Sequence, residues 1–513
     1  MSEVIMKVKV RIAASVMERL RAYHLAPGKR AEALSYLWAQ AYPLPDDPDG
    51  GLCVLVPHTA PLMLFAPDCF LRQSGGNVQL DPAVLNGLLV RFAASSFNCL
   101  VNVHDHWFSE QATFSGVDDR DDRIFDRYLR ERFEPMLRRH PHLGMARPIF
   151  NLSVVLGQQG LDARLIDGRR SRDFAPVNSF DVVGDRFERL AVGLGSAPQT
   201  LDEVFDRQRD FVPAAQQRLL AALDVALVGC GGLGSILAEA LARLGVGGLV
   251  LVDDDRLEAT NLNRWQGGSP ASVGQPKATH LGERLRAMFP RLRLRVVDRS
   301  VFAPEAERAL SGCDLIVGGL DNDEARYHLN RVALQYSLPW FDAGCAVTGV
   351  GAETDFRVRM FAILPGVSAC GECTQYILWD RERTLEAFLD EATARSRRAA
   401  GYVLDAPAAR TPSVYAVNQR AAALLETELL NYFCGWRPTA TMISESWRAG
   451  TFQRADRENF PETPDPECPI CSYYAGVAQT EPLPRPRAMH AATSLAGLLL
   501  DAQSTQTPEV HHG

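Results

Sequence analysis

Residues 225–245 read VALVGCGGLGSILAEALARLG. Four apolar residues run into Gly229-Cys230-Gly231-Gly232-Leu233-Gly234-Ser235, and a helical period comes next. No other stretch restricts the fold of this chain as strongly. Glycines at a strand-to-helix turn let the backbone approach a phosphate closely, and the helix N-terminus supplies aligned N–H donors. Around this turn, short apolar runs alternate with helical stretches: DVALVG, GGLVLVD, LRLRVVD, CDLIVGGLD and LPWFDAG. The alternation predicts an α/β fold, a Rossmann-like, doubly wound parallel sheet. Asp253 ends the second strand, where an acid takes a ribose hydroxyl. Taken alone, the loop fits any nucleotide-binding domain of this kind, a dehydrogenase included.

The residues beyond the loop favour different chemistry. Asp253-Asp254-Asp255 leads into Asn261-Leu262-Asn263-Arg264, then Gly274-Gln275-Pro276-Lys277, and the fourth strand ends in Leu320-Asp321-Asn322. Asp206-Arg207-Gln208 lies upstream of the loop. Hydride transfer needs no such set of cations. Attack by a carboxylate on the α-phosphate of ATP does, because charge builds on the phosphate oxygens as pyrophosphate leaves. Arg264 and Lys277 would supply positive charge, and Asp321 would hold Mg²⁺. Only four lysines (Lys7, Lys9, Lys29 and Lys277) occur among the 54 basic residues, and Lys277 is the only one after position 29.

The strings RQ, GCGGLGS, VDDD, NLNR, GQPK and LDN, in this order across 201–475, resemble the ThiF/MoeB/ubiquitin-activating superfamily. Those enzymes adenylate the C-terminal glycine of a ubiquitin-fold protein. The resemblance implies ATP at Gly229, Gly231, Gly232 and Gly234, with Asp253 on the ribose. It also implies nucleotide contacts from Asp255, Asn261, Arg264 and Lys277, and Mg²⁺ on Asp321. In bacterial relatives the arginine of RQ reaches the partner's active site, so Arg207 implies a homodimer. Many relatives carry a catalytic cysteine in a loop crossing the site, yet Thr374–Val414 contains no cysteine. Cys345, in FDAGCAVTG, ends a predicted strand near the nucleotide. A small buried residue is the alternative reading for it.

Cys370-Gly-Glu-Cys373 and Cys468-Pro-Ile-Cys471 form two C-x-x-C pairs. Four thiolates suit a closed, structural tetrahedral Zn²⁺ site, while a redox role is the alternative for either pair alone. The superfamily commonly carries such a site after its nucleotide domain.

In the N-terminal third, His104-Asp105-His106 follows the apolar run NCLVNV, with Ser115 and Asp118 further on. His-x-His at a strand end places both imidazoles on one side. With Asp118 they offer three zinc ligands and an open water position, and Glu32 is a candidate base. The set resembles the JAB/MPN metalloprotease domain, which trims or removes ubiquitin-like proteins; there Ser115 would steady the oxyanion. This chain departs from that pattern at three points. Eight residues separate His106 from Ser115, one more than usual; Trp107 replaces a proline; and Ser35 replaces the glycine of Glu-x-x-Gly. A metal-free domain kept for packing is the alternative.

Length and composition complete the expectation. At 513 residues, roughly three domains are expected. They are a smaller mixed α/β JAB/MPN-like domain at 1–165, a connector at 166–200 in which SFDVVG has a strand-like pattern, and a ThiF-type adenylation domain at 201–480. The Pro-rich polar tail at 481–513 reads as mobile. A net charge of −8 argues against a nucleic-acid binder that works by bulk electrostatics. No apolar stretch is long enough for a membrane span and the N-terminus has no signal-like core, so a cytoplasmic protein with reduced thiols is expected. The whole reads as a ubiquitin-like-protein-activating enzyme with a possible fused processing activity and a conjugating-enzyme-like partner. Such fusions resemble components of bacterial conjugation operons, some linked to antiviral defence. A sulfur-carrier adenylyltransferase and a non-catalytic scaffold that binds a ubiquitin-like protein are the alternatives.

Overall fold

The computed structural model describes residues 6–45, 50–74, 77–110, 112–139, 148–166, 174–193, 203–348, 354–374, 413–448, 451–456 and 463–478. The tail expected at 481–513 and nearly all of the cysteine-free stretch lie outside these residues.

The first sheet uses β1 (Val8–Ala13), β2 (Leu34–Pro43), β3 (Leu52–Val56) and β4 (Leu62–Leu64). After the hairpin β5 (Phe70–Ser74) and β6 (Asn77–Leu80) it continues with β7 (Cys99–Asp105), β8 (Phe150–Leu156), β9 (Leu161–Ile166), β10 (Ala175–Val183) and β11 (Phe187–Leu190). Its helices are α1 (Ala14–His24), α2 (Pro82–Ala93), α3 (Gly116–Tyr128) and α4 (Glu134–Arg139). β1 pairs in parallel with both β3 and β10, so the order β1-β3-β2-β7-β8-β9-β10 returns to β1 and the strands close into a ring. In β1, Val8, Val10 and Ile12 join the core inside the ring, with Met17 and Leu20 of α1.

One expectation fails here. Residues 174–193 of the expected connector at 166–200 belong to the first sheet, because β10 is a ladder partner of β1 and β9, and β11 folds back on it. The strand-like run SFDVVG supplies the end of β10, and its Asp181 is fully buried. It faces a neighbouring layer rather than water, so its polarity is no sign of exposure.

That layer is the second sheet, ordered β14-β13-β12-β15-β16-β17-β18-β19. Its strands are β12 (Asp224–Val228), β13 (Gly248–Val252), β14 (Arg293–Val297), β15 (Leu315–Gly318), β16 (Trp340–Thr348), β17 (Asp355–Ile363), β18 (Met442–Arg448) and β19 (Thr451–Asp456). The ladder is parallel from β14 to β16 and antiparallel from β16 onward. It is the doubly wound sheet expected, with an antiparallel extension. α5 (Ala214–Ala222), α6 (Gly232–Leu244), α7 (Lys277–Met288) and α10 (Tyr415–Cys434) share one core. α8 (Pro304–Ser311), α9 (Asp323–Gln335) and α11 (Pro469–Tyr474) share the other. Among the described residues no helix is long and apolar enough to cross a membrane.

Tyr42, Cys53 and Leu55 of the first sheet belong to that second core, so the two sheets pack as one body. Charge is buried along the join. Lys9 is 5% exposed and Arg11 1%. The Arg11 guanidinium donates to the carbonyls of Tyr336 and Cys313, each at 2.6 Å. Lys9 pairs with Asp314, which also takes Arg189 at 3.2 Å and accepts the Asp224 amide at 2.8 Å. Burial alone would lift the Asp314 carboxyl, but Lys9 and Arg189 hold it down at about 2.

A carboxyl depressed below its ordinary 3.8 stabilises the fold fully above that value and loses the contribution as pH falls toward 2. Asp314→Asn is therefore expected to cost about 3–5 kcal/mol near neutrality, because it leaves Lys9 buried and unpaired. The gap in melting temperature between wild type and variant should shrink as pH is lowered from about 6 to about 2.5. A gap independent of pH would show that this ion pair contributes little.

Candidate functional site

The glycine loop lies between the end of β12 and the start of α6, at the carboxyl edge of the parallel strands, where open α/β sheets bind ligands. Gly229 has φ +89°, a conformation that disfavours a side chain. A Cβ on Gly234 would sit 1.8 Å from the Gly229 carbonyl oxygen, so glycine there allows the helix to close on the strand. A Cβ on Gly231 would meet nothing within 4 Å. That backbone faces open space, as a ligand-cradling loop must.

The space is a cavity of about 1020 Å³. Gly229, Gly231, Gly232, Asp253, Asp255, Asn261, Arg264, Lys277 and Asp321 all line it, and Gly234 packs behind. Residues up to 92 positions apart in sequence thus meet around one volume, as a nucleotide site built from these strings requires. Asp253 accepts the Cys230 amide at 2.6 Å and the Asp255 amide at 2.8 Å, which fixes the loop against β13. Burial raises its carboxyl, countered by Lys277. The Lys277 ammonium rests on Asp255 at 2.7 Å; burial opposes its charge, but Asp255 and Asp253 raise its pKa above the ordinary value. Arg264 donates to the Thr260 carbonyl at 2.7 Å. Asn322 caps α9 through the Ala325 amide at 2.8 Å, placing neighbouring Asp321 at the rim.

Arg207 is the exception, exposed on a short turn (Glu203–Gln208) and outside the cavity of its own chain. Arg326, Arg357, Arg359 and Asn418 are among the lining residues that sequence reasoning did not reach. Arg326 donates to buried Asp342 at 2.9 Å. Arg357 and Arg359 project from β17, and Asn418 lies in the first turn of α10. No strand or helix spacing links them to the loop; only the topology of the sheet does. Cys345 also lines the cavity, 2.9 Å from Asn418 Oδ1, and burial pushes its thiol up. Cys230 and Cys313 are buried in the cores.

The four cysteines of the C-x-x-C pairs converge from segments about a hundred residues apart. Cys370 and Cys373 Sγ are 3.8 Å apart, Cys370 and Cys468 3.8 Å, and Cys373 and Cys471 3.6 Å. Four sulfurs at about 2.3 Å from a tetrahedral ion stand ~3.8 Å from each other, so the donor set fits Zn²⁺. The Gly371 amide donates to Asn330 Oδ1 at 3.0 Å, tying the first pair to α9.

The histidine cluster assembles as well. His104 and His106 leave the end of β7, and Asp118 lies on the first turn of α3. His104 Nε2 is 3.3 Å and His106 Nε2 3.9 Å from the Asp118 oxygens. Among the described residues, buried His104 Nε2 has no hydrogen bond of good geometry, the condition of a nitrogen available to a cation. Burial lowers the His106 pKa, which keeps the ring neutral as a ligand must be. Asp118 remains well below the usual carboxylate range despite burial, through His104 and the Ser115 amide. Ser115 is the N-cap of α3 and accepts the Val117 and Asp118 amides at 3.3 Å. Its hydroxyl oxygen thus serves the cap. Glu32 is buried near enough for His104 and Asp118 to act on its carboxyl, which burial raises.

Behind this cluster runs a buried chain that the sequence did not reveal. Ser35 Oγ lies 2.7 Å from His24 Nε2, and His24 Nδ1 lies 2.7 Å from Asp105 Oδ2. The same oxygen takes Lys29 and the Ala33 amide, the latter at 3.0 Å. Asp105 therefore joins the strand carrying the histidines to the segment carrying Glu32.

A doubly wound sheet with a glycine loop opening on a charged cavity defines a Rossmann-like nucleotide-binding class of protein. The chain matches the ThiF family over residues 205–470 and belongs to it. Ubiquitin-like modifier-activating enzyme 5 of Drosophila erecta is 29% identical over 221 residues, covering 39% of this chain and 51% of that protein. The SAMP-activating enzyme E1 of Haloferax volcanii is 37% identical over 127 residues, covering 25% and 47%. The chain thus spans about half the length of the curated relatives it matches. Among solved structures, MccB of E. coli with MccA-N7isoASN is 18% identical with a TM-score of 0.42, covering 53% of this chain and 75% of that one.

Cys468→Ser removes one of four donors. Elemental analysis is expected to show one tightly bound zinc fewer per chain, with a lower melting temperature, because a structural metal contributes folding energy. Unchanged zinc content and melting temperature would mean that the four thiols hold no metal.

Proposed function

We propose that this chain activates the C-terminal glycine of a ubiquitin-like protein by ATP-dependent adenylation. One observation carries the reading: a single cavity gathers the glycine loop, Asp253, Arg264, Lys277 and Asp321. Membership of the ThiF family supports it. The glycine-loop amides and the N-terminus of α6 receive phosphate oxygens, and Asp253 takes a ribose hydroxyl on the lone pairs its two amide contacts leave free. Asp255 and Asn261 border the nucleotide. A glycine carboxylate oxygen attacks the α-phosphorus. The bond from that phosphorus to the bridging oxygen breaks, and pyrophosphate departs with the electron pair, leaving an acyl-adenylate.

No proton needs to move in this step, so the residues act by position and charge. Lys277 stays cationic beside Asp255 and turns to the phosphates when they enter. Arg264 supplies the second positive charge. Mg²⁺ on Asp321 would neutralise part of the triphosphate charge. Arg207, exposed and remote from its own cavity, suits a homodimer in which it completes the partner's site. Zn²⁺ on the four cysteines would be structural. A conjugating-enzyme-like protein is the expected recipient of the activated modifier.

We also propose that the N-terminal ring is a JAB/MPN-like domain that trims or releases the same modifier. His104, His106 and Asp118 would hold Zn²⁺, which when bound lowers the pKa of a water molecule. Glu32, buried beside them with a raised pKa, would take that water's proton and pass it to the leaving amine. The Ser115 O–H would point at the developing oxyanion.

Lys277→Ala is expected to lower modifier-dependent ATP–pyrophosphate exchange on the order of 10²–10³-fold. Exchange at the wild-type rate would refute the adenylation site. For the ring, His104→Ala should lose one zinc per chain, whereas Glu32→Gln should keep it and lose cleavage of a modifier fusion. Equal zinc content in wild type and His104→Ala would leave the ring without a catalytic metal.

A further inference from the structure

The buried face of α10 runs through Asn418, Ala421, Ala422, Leu425 and Leu429, the spacing of a helix turned to a core. The four apolar residues of that stripe pack with α6 in one cluster. Asn418 heads the stripe at 2% exposure, and a carboxamide there needs partners. One end of it has them. The Cys345 thiol and the Ser413 hydroxyl both reach Oδ1, at 2.9 and 3.5 Å. The other end does not. Among the described residues Nδ2, with two N–H donors, makes no hydrogen bond, and the side chain lines the cavity.

Nδ2 lies against the glycine loop. A Cβ on Gly232 would come 2.7 Å from Asn418 Nδ2 and 2.9 Å from Arg264 Cγ. Glycine at 232 therefore lets the carboxamide from α10 and the stem of Arg264 flank the first residue of α6. Gly231 is the N-cap of that helix, and no side chain caps the amides of its first turn. Helix-start amides without an acceptor suit an anion, and here a buried neutral donor stands beside them. The thiol decides which way the carboxamide faces. Cys345 is fixed in the β16–β17 ladder opposite Val358, and its S–H holds Oδ1, which leaves Nδ2 to the loop.

We propose that Asn418 Nδ2 donates to a phosphoryl oxygen of the nucleotide over Gly231 and Gly232, and that Cys345 is the positioning residue that holds the carboxamide in that sense. The inference rests on the adenylation reading and adds to it a neutral contact besides the cations and the loop amides. Charge on the phosphate oxygens is what the site must meet. A donor fixed in place beforehand meets it without reorganising. The step asks no proton of this residue. A carboxamide therefore serves where a carboxylate, the same shape but an acceptor only, would turn a negative oxygen on the phosphate.

The test uses the full chain with Mg²⁺ and measures binding of ATP and of adenosine, which has the base and ribose but no phosphate, by titration calorimetry. N418D is expected to weaken ATP by about tenfold or more, the usual effect of losing a hydrogen bond to a charged group, with adenosine within about twofold of wild type. N418L, similar in size and uncharged, carries the same expectation without burying a carboxylate. C345A, which frees the carboxamide to turn, should show the same selective loss to a smaller degree, and C345S, which restores a donor to Oδ1, should recover most of it. Equal losses of ATP and adenosine in both Asn418 variants overturn the proposal, since the residue would then only shape the cavity. Unchanged ATP affinity overturns it too. C345A with wild-type ATP affinity overturns the positioning role of the thiol. Modifier-dependent pyrophosphate exchange separates the two readings. Exchange that N418D leaves at the wild-type rate defeats the phosphate contact alone. Phosphate-selective binding that N418D weakens, with no exchange in wild type, defeats the adenylation reading and leaves the contact standing.

Discussion

Asp314 is the point at which the two sheets and the glycine loop become one mechanical unit. Its carboxylate meets Lys9 from β1, Arg189 from β11 and the amide of Asp224, the first residue of the strand that delivers the loop. Arg189 in turn holds Asp181 of β10 at 2.6 Å. A buried carboxylate with two cations is costly to assemble and far costlier to leave half-made. The arrangement therefore tolerates one docking of the ring on the nucleotide sheet and penalises others. The apolar contacts of Tyr42, Cys53 and Leu55 add area but little direction, because hydrophobic burial is non-directional. Register between the layers comes from the charges.

This explains what the sequence disclosed and what it withheld. The glycine loop, the strand order around it and the family strings are local or evenly spaced signals, and they led directly to one cavity. The join was illegible because VKVRIA alternates polar and apolar residues, the pattern of a strand with one face in water. Here the polar face of Lys9 and Arg11 is covered by the second sheet, so the same pattern describes a strand buried on both sides. Asp181 of β10 is hidden in the same way: a polar residue on the strand face that the second layer covers. Arg357 and Arg359 were missed for another: they reach the cavity because β16 and β17 stay paired beyond the end of β15, and strand length relative to a neighbour is not written in either strand.

The lysines show how composition becomes informative once structure is known. Three of the four are held on an aspartate: Lys9 on Asp314, Lys29 on Asp105 and Lys277 on Asp255. An ammonium is a compact point charge on a flexible stem, whereas guanidinium is a broad planar fork. Two of these lysines share their carboxylate with a backbone amide and another residue in a crowded setting. Lys9 shares Asp314 with Arg189 and the Asp224 amide. Lys29 and His24 both meet Asp105 Oδ2, which also accepts the Ala33 amide.

That crowding bears on one departure from the JAB/MPN pattern. Ser35, which replaces the glycine, and Asp105, the residue between the histidines, are far apart in the sequence. In the fold they are the two ends of one hydrogen-bonded chain through His24. Asp105 points away from the two histidines that flank it, since alternate residues of a strand face opposite sides. From there it grips the Glu32–Ala33 segment from behind. These residues thus supply a brace between the histidine strand and the candidate base, with His24, Ser35 and Asp105 all fully buried. A domain kept only for packing would gain nothing from fixing Glu32 against His104 and His106 at the cost of burying titratable side chains. The brace fixes the spacing between that carboxylate and those imidazoles, which is what the role proposed for the ring would require.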